Sequence, residues 1–477
     1  MPDPTQRPEL ARDLGVSHAS AVVVGTIIGS GIFLVPAEMM QAVGSAKLVY
    51  LAWLVGGLLS FFGALTYAEL GAMKPQAGGE YVYVRDAYGP LGGFLYGWTW
   101  FVIAKPASVA TIATGLVRIL GTFSVFSFFS DDIFFASPSS HFFAVTWGQL
   151  VAIGAAILIS LLNYLGVKKA GEFQLVFTVL KVAIILGIVL VCFGGGHAKG
   201  EGWSNFASTF AGAKGGMAGF MAALVAALWA YDGWNDLNMV AGEVKSPERN
   251  IPIALIAGVA TVGVLYVLVN AGVQYVLPAS VIAASPRPAS DAVALVMGHM
   301  GAAIVSAGMA ISMLVTLNGT VMSGARVPFA MARDGYFFRA LAEVHPRFHT
   351  PSAAIVVQAV LSIILLLLGG NFRQLFSLAI FAEWLFYMIA GSTIFVFRWR
   401  DPGAVRPYRV LGYPFVPALF VTVAAALLYY TFREEWPNSF YGLLVILAGI
   451  PVFAWFRRRR LLLGYGVPPL PPVPPNL

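Results

Sequence analysis

Residues 25–33 read GTIIGSGIF and place three glycines inside an otherwise apolar run. Each glycine costs a helix about 1 kcal/mol relative to alanine, so a helix is weakest at this point. A chain that unwinds here exposes carbonyl oxygens before the break and N–H groups after it. The N–H groups and the positive end of the helix dipole can hold a carboxylate, and the carbonyls can hold an ammonium. The segment therefore predicts a binding site for a zwitterion.

The elements around this segment are predicted to be membrane spans. The 477-residue chain is 58% hydrophobic and 11% charged, whereas a soluble domain carries about 25% charged residues. Apolar runs long enough to cross a bilayer recur along the whole chain. We expect no cleavable signal peptide before them, because the first sixteen residues are polar and no small-residue cleavage site follows the first apolar run. We predict twelve spans, at about 17–42, 48–73, 91–119, 145–164, 170–194, 217–241, 252–277, 300–324, 352–369, 374–397, 412–431 and 439–456.

The distribution of lysine and arginine predicts that both termini are cytoplasmic. With the N-terminus inside, 20 of the 29 basic residues fall in inner segments, seven in outer segments and two within spans. This bias follows the positive-inside rule. Topology therefore explains the net charge of +7, and we expect no nucleic-acid partner. The basic and then Pro-rich tail, 457–477, is expected to be extended in the cytoplasm.

A second break is predicted in span 6, where residues 229–235 read WAYDGWN. Interrupted helices at matching positions in two halves of a chain indicate an inverted-repeat transporter. Irregular backbone survives at membrane depth only where it lines a cavity, because lipid cannot satisfy its polar groups. A glycine-packed helix crossing is the alternative for the first break, but it does not explain two breaks in register.

Four charged residues are predicted at membrane depth. Lys181 lies about twelve residues from either end of span 5, or roughly 17 Å of helix, which is too far for its side chain to reach water. A charge there costs at least about 3 kcal/mol, which marks Lys181 as a functional candidate. Asp232 can pair with Lys181, receive a substrate ammonium, carry a proton or cap the broken helix. Glu383 can line the pocket or balance Lys105, for which a structural ion pair is favoured.

Two further features lie at the inner ends of the spans. Glu69, Glu243 and Arg249 are expected to form salt links that close a cytoplasmic gate rather than to contact substrate. Residues 78–89, GGEYVYVRDAYG, alternate tyrosines with charges and are predicted to form an interfacial inner segment.

Enzymatic and metal-binding functions find little support in the sequence. The one cysteine, Cys192, lies in an apolar run and permits no internal disulfide. The six histidines are scattered without zinc spacing. No Ser/His, paired-Asp or HExxH arrangement falls at membrane depth, and the buried polar groups cluster at two breaks rather than along a pore. We therefore expect a transporter, with no cofactor or metal, and neither an enzyme nor a channel.

Five segments together resemble the L-type amino acid transporter family of the amino acid–polyamine–organocation superfamily. They are GTIIGSGIF, YAELGAMKPQAGGEYVYVRDAYG at 67–89, WAYDGWNDLN with EVKSPERNIP at 229–252, RVPFAMARDGYFF at 326–338 and VHPRFHTP at 344–351. The similarity runs from about residue 14 to 456. It implies an all-α polytopic domain, 1–456, with the LeuT-type 5+5 fold. Its inverted repeats would be 17–194 and 217–397, with helices 11 and 12 appended at 412–456.

The resemblance also implies exchange or uniport of neutral L-amino acids without sodium in the cell (inner) membrane. The backbone at Ser30 and Gly31 would hold the substrate carboxylate. The carbonyls near Ile27 and Trp229 would hold its amino group, with the Trp229 ring as a gate. Lys181 would stand where sodium-coupled relatives bind their metal. The residues expected at the substrate site are Thr26, Ile27, Gly29, Ser30, Gly31, Ser108, Trp229, Ala230, Asp232, Asn235, Tyr266 and Glu383.

The sequence departs from the family pattern in three places. The loop at about 121–143 lacks the cysteine that joins eukaryotic light chains to a heavy subunit, so we expect amino acids and the lipid bilayer as partners and no disulfide-linked subunit. Asp232 stands where glycine is usual, and Glu383 stands where a neutral residue is usual. These two carboxyls keep an alternative open, a proton-coupled amino acid symporter that uses Asp232 or Glu383.

Overall fold

The structure is a computed structural model that describes residues 9–129, 133–136, 144–195, 202–368, 372–434 and 436–462. Most of the predicted cytoplasmic tail lies outside these residues. A hairpin of β1 (Ile133–Ala136) and β2 (Ala144–Thr146) pairs antiparallel. The helices are α1 (Val16–Ile27), α2 (Gly31–Val43), α3 (Ala46–Met73), α4 (Glu80–Tyr88), α5 (Pro90–Thr99), α6 (Lys105–Leu120), α7 (Trp147–Tyr164), α8 (Val167–Gly195), α9 (Gly216–Ala230), α10 (Asp236–Met239), α11 (Pro247–Val276), α12 (Ala279–Ala284), α13 (Pro288–Met297), α14 (His299–Gly324), α15 (Arg326–Arg333), α16 (Ser352–Leu368), α17 (Phe372–Arg400), α18 (Phe415–Glu434) and α19 (Trp436–Leu462).

The prediction of a multi-pass membrane protein is confirmed. Within the described residues, ten helical segments are long and apolar enough to cross a membrane. Predicted spans 6 and 9 correspond to two shorter apolar helices, α9 and α16. The first of these is short because its helix is interrupted at membrane depth. The count of twelve spans stays a prediction.

Both predicted helix breaks are present. The first membrane segment ends its first half-helix, α1, at Ile27 and resumes as α2 at Gly31. The sixth ends α9 at Ala230 and resumes as the short α10 at Asp236. A π-helical turn over Trp100–Ala104 joins α5 to α6 in the third. The irregular backbone of segments 1 and 6 is thus enclosed by protein, as bilayer physics requires.

Two glycines let the breaks approach each other closely. A Cβ on Gly31 would lie 2.9 Å from the Cα of Ala230, and one on Gly233 would lie 2.9 Å from Cγ2 of Thr26. Gly233 also has φ +103°, a conformation that favours glycine. Any larger residue at either position would push the two broken helices apart.

The other helices form a cage around this pair. The inner half-helix α1 packs against α8, α11 and α14, and α2 packs against α9. Helices α6 and α14 lie together on another side, while α18 and α19 pack on α17 at the periphery. We call the side where α1 begins the N-terminal face, and the side where α2 ends the opposite face.

The interfacial prediction for residues 78–89 is wrong. This segment forms α4, and six of its nine residues are buried within the protein, including Tyr81 and Tyr83. Helix α4 packs against α5, α15 and α17. Tyr81 and Tyr83 face other helices, while Tyr88 at the end of α4 is 46% exposed. The segment plugs the N-terminal end of the bundle.

Candidate functional site

A cavity of about 350 Å³ lies between the two breaks. It reaches from Thr320, deep in α14, to Glu38 and Arg118 near the opposite face. Ten of the residues predicted for the substrate site line it, namely Thr26, Ile27, Gly29, Ser30, Gly31, Ser108, Trp229, Ala230, Asp232 and Glu383. The breaks therefore form a site large enough for an amino acid, with a path towards the opposite face.

The start of α2 forms one end of this cavity. Ser30 and Gly31 line the cavity, and Ser30 makes no side-chain cap to the helix. The first N–H groups of a helix have no intrahelical acceptor and carry the positive end of its dipole. This end of the cavity therefore presents N–H groups without intrahelical acceptors and a favourable dipole for negative charge.

Lys181 satisfies the carbonyl oxygens that the first break releases. Its ammonium donates to the oxygens of Gly25 at 2.6 Å and Ile28 at 2.7 Å. The Ser312 hydroxyl also donates to Ile28 O at 2.7 Å, and the Thr316 hydroxyl to Gly25 O at 3.2 Å. The lysine is 1% exposed and lies behind the cavity rather than in its lining. The Lys181 amine thus stands where backbone carbonyls converge.

Tyr266 ties the two breaks together from behind the cavity. Its fully buried hydroxyl lies 2.8 Å from Ala230 O and 3.0 Å from Ile27 O, and its single proton is shared between these two acceptors. The Ile27 oxygen also accepts from Gly29 N at 2.8 Å. The Ile27 oxygen is therefore partly engaged in this conformation, by Gly29 N and by the proton that Tyr266 shares with Ala230 O.

Asp232 is oriented by a tyrosine rather than by Lys181. The Tyr387 hydroxyl donates to Asp232 Oδ1 at 2.8 Å and also lies 3.2 Å from Asn235 Oδ1. Asn235 is fully buried outside the cavity lining, and its amide donates to Glu80 Oε1 at 2.6 Å. Asp232 itself lines the cavity. The break in segment 6 is thus held by side chains from α4 and α17.

Lys105 forms a buried ion pair, as predicted, but with an unforeseen partner. Its ammonium lies 2.5 Å from Asp236 Oδ1, and both side chains are at most 9% exposed. Glu383, the partner that the sequence suggested for Lys105, lines the same cavity but does not form the ion pair. Asp236 was missed, although its place one turn after Asp232 in the broken segment was a usable signal.

The N-terminal face is closed by ion pairs. Arg398 binds Glu69 through two nitrogens, at 3.0 and 2.7 Å. Arg326 binds Glu243 in the same way, at 2.7 and 2.8 Å, and neither side chain of that pair is exposed. The salt links predicted for Glu69 and Glu243 are present, whereas Arg249 is exposed and not the partner of Glu243. Their role as a cytoplasmic gate stays a prediction. With this face sealed, the cavity opens only towards the opposite face among the described residues.

Backbone pairing reinforces this closure. Leu14 N donates to Glu243 O at 3.0 Å, and Lys245 N donates to Leu14 O at 2.8 Å. Arg85 on α4 pairs with Asp334, which also accepts from the Tyr81 hydroxyl at 2.7 Å. The residues before α1 are thereby fastened to the end of segment 6.

Comparison with known proteins decides the family. The amino acid permease model matches residues 14–450. The chain belongs to the amino acid permease family. The resemblance to the L-type amino acid transporters is confirmed by similar proteins, and the permease therefore has the LeuT-type fold of its superfamily.

Three relatives show the extent of the similarity. The permease is 32% identical over 458 residues to the serine/threonine exchanger SteT of Bacillus subtilis, covering 94% of this chain and 98% of that protein. It is 30% identical over 456 residues to b(0,+)-type amino acid transporter 1 of Mus musculus, covering 94% and 88%. It is 32% identical over 458 residues to large neutral amino acids transporter small subunit 2 of Mus musculus, covering 93% and 81%. The permease is an amino acid transporter and not an enzyme.

Proposed function

We propose that the permease is a sodium-independent exchanger or uniporter of neutral L-amino acids that works by alternating access. The observation that carries this proposal is the ammonium of Lys181 on the carbonyls of Gly25 and Ile28. A buried cation at converging carbonyls takes the role that a coupling ion would have there. Relatives named as a serine/threonine exchanger and a large neutral amino acids transporter support both exchange and neutral substrates.

In this proposal the two breaks bind opposite charges of the substrate. The carboxylate lies on the N–H groups at Ser30 and Gly31, where the dipole of α2 favours negative charge. The ammonium lies against the carbonyl side of the breaks, near Ile27 and Trp229. Its arrival would draw the Ile27 oxygen away from Tyr266 and so loosen the tie between the broken helices. The Trp229 ring covers the bound side chain.

A proton-coupled symporter is the second candidate, and one observation favours it. Asp236 neutralises Lys105, which leaves Asp232 and Glu383 as further carboxyls on the cavity wall. A carboxyl beside a substrate can take up and release a proton in each transport cycle.

We also propose that both termini are cytoplasmic, in the cell (inner) membrane, on the strength of the 20-to-7 distribution of basic residues. The closed N-terminal face would then be cytoplasmic and the cavity outward-facing. The repeat boundaries 17–194 and 217–397 and the lack of a disulfide-linked subunit belong to the same proposal.

Uptake of labelled amino acid into proteoliposomes tests these alternatives. Saturable uptake that is accelerated by amino acid inside and unchanged when choline replaces sodium is the expected result. A several-fold loss in sodium-free buffer would refute the role of Lys181. Uptake driven by an imposed pH gradient would favour the symporter instead. A competition panel of the twenty amino acids would then define the substrate.

A further inference from the structure

The carboxyl of Glu80 is enclosed beneath the cavity on its N-terminal side. Glu80 is the first residue of α4 and is fully buried. Its Oε1 accepts from the Asn235 amide at 2.6 Å, while Oε2 is buried with no hydrogen-bond partner among the described residues. A buried carboxylate without an ion-pair partner is far more costly than a buried protonated carboxyl, because the charged form loses much more hydration. The surroundings of Glu80 therefore suit a carboxyl that holds a proton.

Three tyrosines face this carboxyl from three helices. They interact electrostatically with Glu80. None of their buried hydroxyls makes a hydrogen bond of normal geometry within the described part of the chain, although the hydroxyl of Tyr96 interacts with the Glu80 carboxyl and that of Tyr83 with Asn238. The three tyrosines are Tyr67 on α3, Tyr83 on α4 and Tyr96 on α5. Several hydroxyls beside one carboxyl can accept its proton in a hydrogen bond or stabilise its charge once the proton leaves.

The charged groups near Glu80 are engaged elsewhere. Lys105 on α6 and Asp236 on α10 act on it from a distance, and they are paired with each other. From the end of α14 and the start of α15, Arg326 is bound to Glu243. Helix α17 contributes Tyr387, bound to Asp232, Arg398, bound to Glu69, and Arg400, bound to Ala87 O. Glu80 thus has no ion-pair partner of its own among the described residues.

Hydrogen bonds connect Glu80 to the cavity. Asn235, which donates to Glu80, lies in the break of segment 6 and also contacts the Tyr387 hydroxyl at 3.2 Å. That hydroxyl donates to Asp232, which lines the cavity. A change at Glu80 therefore reaches the part of segment 6 that must move during transport.

We propose that Glu80 is a proton-binding site that holds the N-terminal face closed. While this face is sealed, the carboxyl is enclosed and keeps its proton. When the ion pairs of this face separate, water reaches α4, and a hydrated carboxyl releases its proton. Acid on the N-terminal side therefore stabilises the closed face, and alkali favours its opening.

The size of the effect follows from linkage. In the closed structure, burial raises the pKa of Glu80 to about 7, against the opposing effect of the Asn235 hydrogen bond. A hydrated glutamate titrates near ~4.3. Between these two pKa values the closed protein binds more protons than the open protein. The stabilisation of the closed face is therefore complete below the pKa of the hydrated carboxyl, and it is lost as the pH rises through the pKa of the buried carboxyl. From pH 8 to pH 6, the ratio of closed to open protein rises about tenfold.

Exchange in oriented proteoliposomes tests the site. With saturating amino acid on both sides and the opposite side held at constant pH, the N-terminal side is varied from pH 8 to pH 6. Wild-type exchange should fall by up to about tenfold with a midpoint near pH 7. Glu80→Gln, which cannot release a proton, should be insensitive to pH over this range. Glu248→Gln, which alters an exposed carboxyl on the first turn of α11, should retain the wild-type profile.

Several results would overturn the proposal. A flat wild-type profile would do so, as would a wild-type midpoint in Glu80→Gln or a response to pH only on the opposite side. If Glu80→Gln is not recovered as monodisperse protein, Tyr96→Phe provides the second test. It removes a hydroxyl that can stabilise the charged carboxyl, so the midpoint should move to higher pH. An unchanged midpoint in Tyr96→Phe would count against Glu80.

Discussion

Replacing Lys181 by alanine is the most direct test of how the first break is stabilised. The ammonium makes two charge-assisted hydrogen bonds, at 2.6 and 2.7 Å, to Gly25 O and Ile28 O. Such bonds contribute about 1.5–3 kcal/mol each. The hydroxyls of Ser312 and Thr316 still reach the same oxygens after the change. We therefore expect a loss near the lower limit, about 3 kcal/mol in total.

Part of this lost stabilisation should destabilise the conformation that binds substrate relative to the other conformations of the protein. If half of it does, transport falls at least about tenfold, since 1.4 kcal/mol corresponds to a factor of ten. The side chain is 1% exposed, so its removal also leaves a space lined by carbonyl oxygens. A small cation can occupy such a space, and sodium should partly restore transport in Lys181→Ala while leaving wild type unaffected.

The assay is amino acid uptake with and without sodium, combined with size-exclusion chromatography of the detergent-solubilised protein. Lys168→Ala is the matched control, because Lys168 is an exposed lysine on the same helix, α8, and should transport normally. Wild-type uptake by monodisperse Lys181→Ala would refute the reasoning. Aggregation that no ion relieves would show that the lysine is needed for folding alone.

Three further predictions concern the breaks and the closed face. Gly31→Ala should abolish uptake, because the new Cβ would lie 2.9 Å from the Ala230 Cα. The Cβ of Gly29→Ala would lie 3.5 Å from Thr316, so this variant should retain more activity. Equal uptake by the two variants would contradict this prediction. Asp236→Asn leaves Lys105 without its buried partner and should lower the free energy of unfolding by about 3–5 kcal/mol. The double variant Asp236→Asn/Lys105→Met should recover most of this loss in a melting experiment. Glu243→Gln likewise removes the ion-pair partner of Arg326 at the N-terminal face and should increase protease access from that side more than Glu248→Gln does. Identical protease access in the two variants would argue against a gate at Glu243.

The sequence by itself determined the features that depend on local physical chemistry. The spans follow from apolar runs. The first break follows from glycines that lower helix stability within a single turn. The depth of Lys181 also follows from the length of its span, and for that reason its burial was predictable. Asp232 and Glu383 were recognisable as cavity candidates because a charge inside an apolar span is conspicuous wherever the chain folds.

Only the tertiary structure decided which buried groups are partners. Lys105 and Asp236 are separated by 131 residues, and nothing local distinguishes Asp236 from Asp232 or Glu383 as the pairing carboxyl. Tyr266 was expected in the cavity, yet α11 places its hydroxyl behind both breaks, where it bonds the two backbones.

The same limit explains the errors at the N-terminal face. Residues 78–89 have the pattern of an interfacial segment, and only the helices packed around α4 show that it is buried. Arg249 and Arg326 are equally basic in the sequence, but only Arg326 is directed at Glu243. Composition and periodicity determine which residues must leave water, whereas the choice of partner depends on distances that the fold sets between remote parts of the chain.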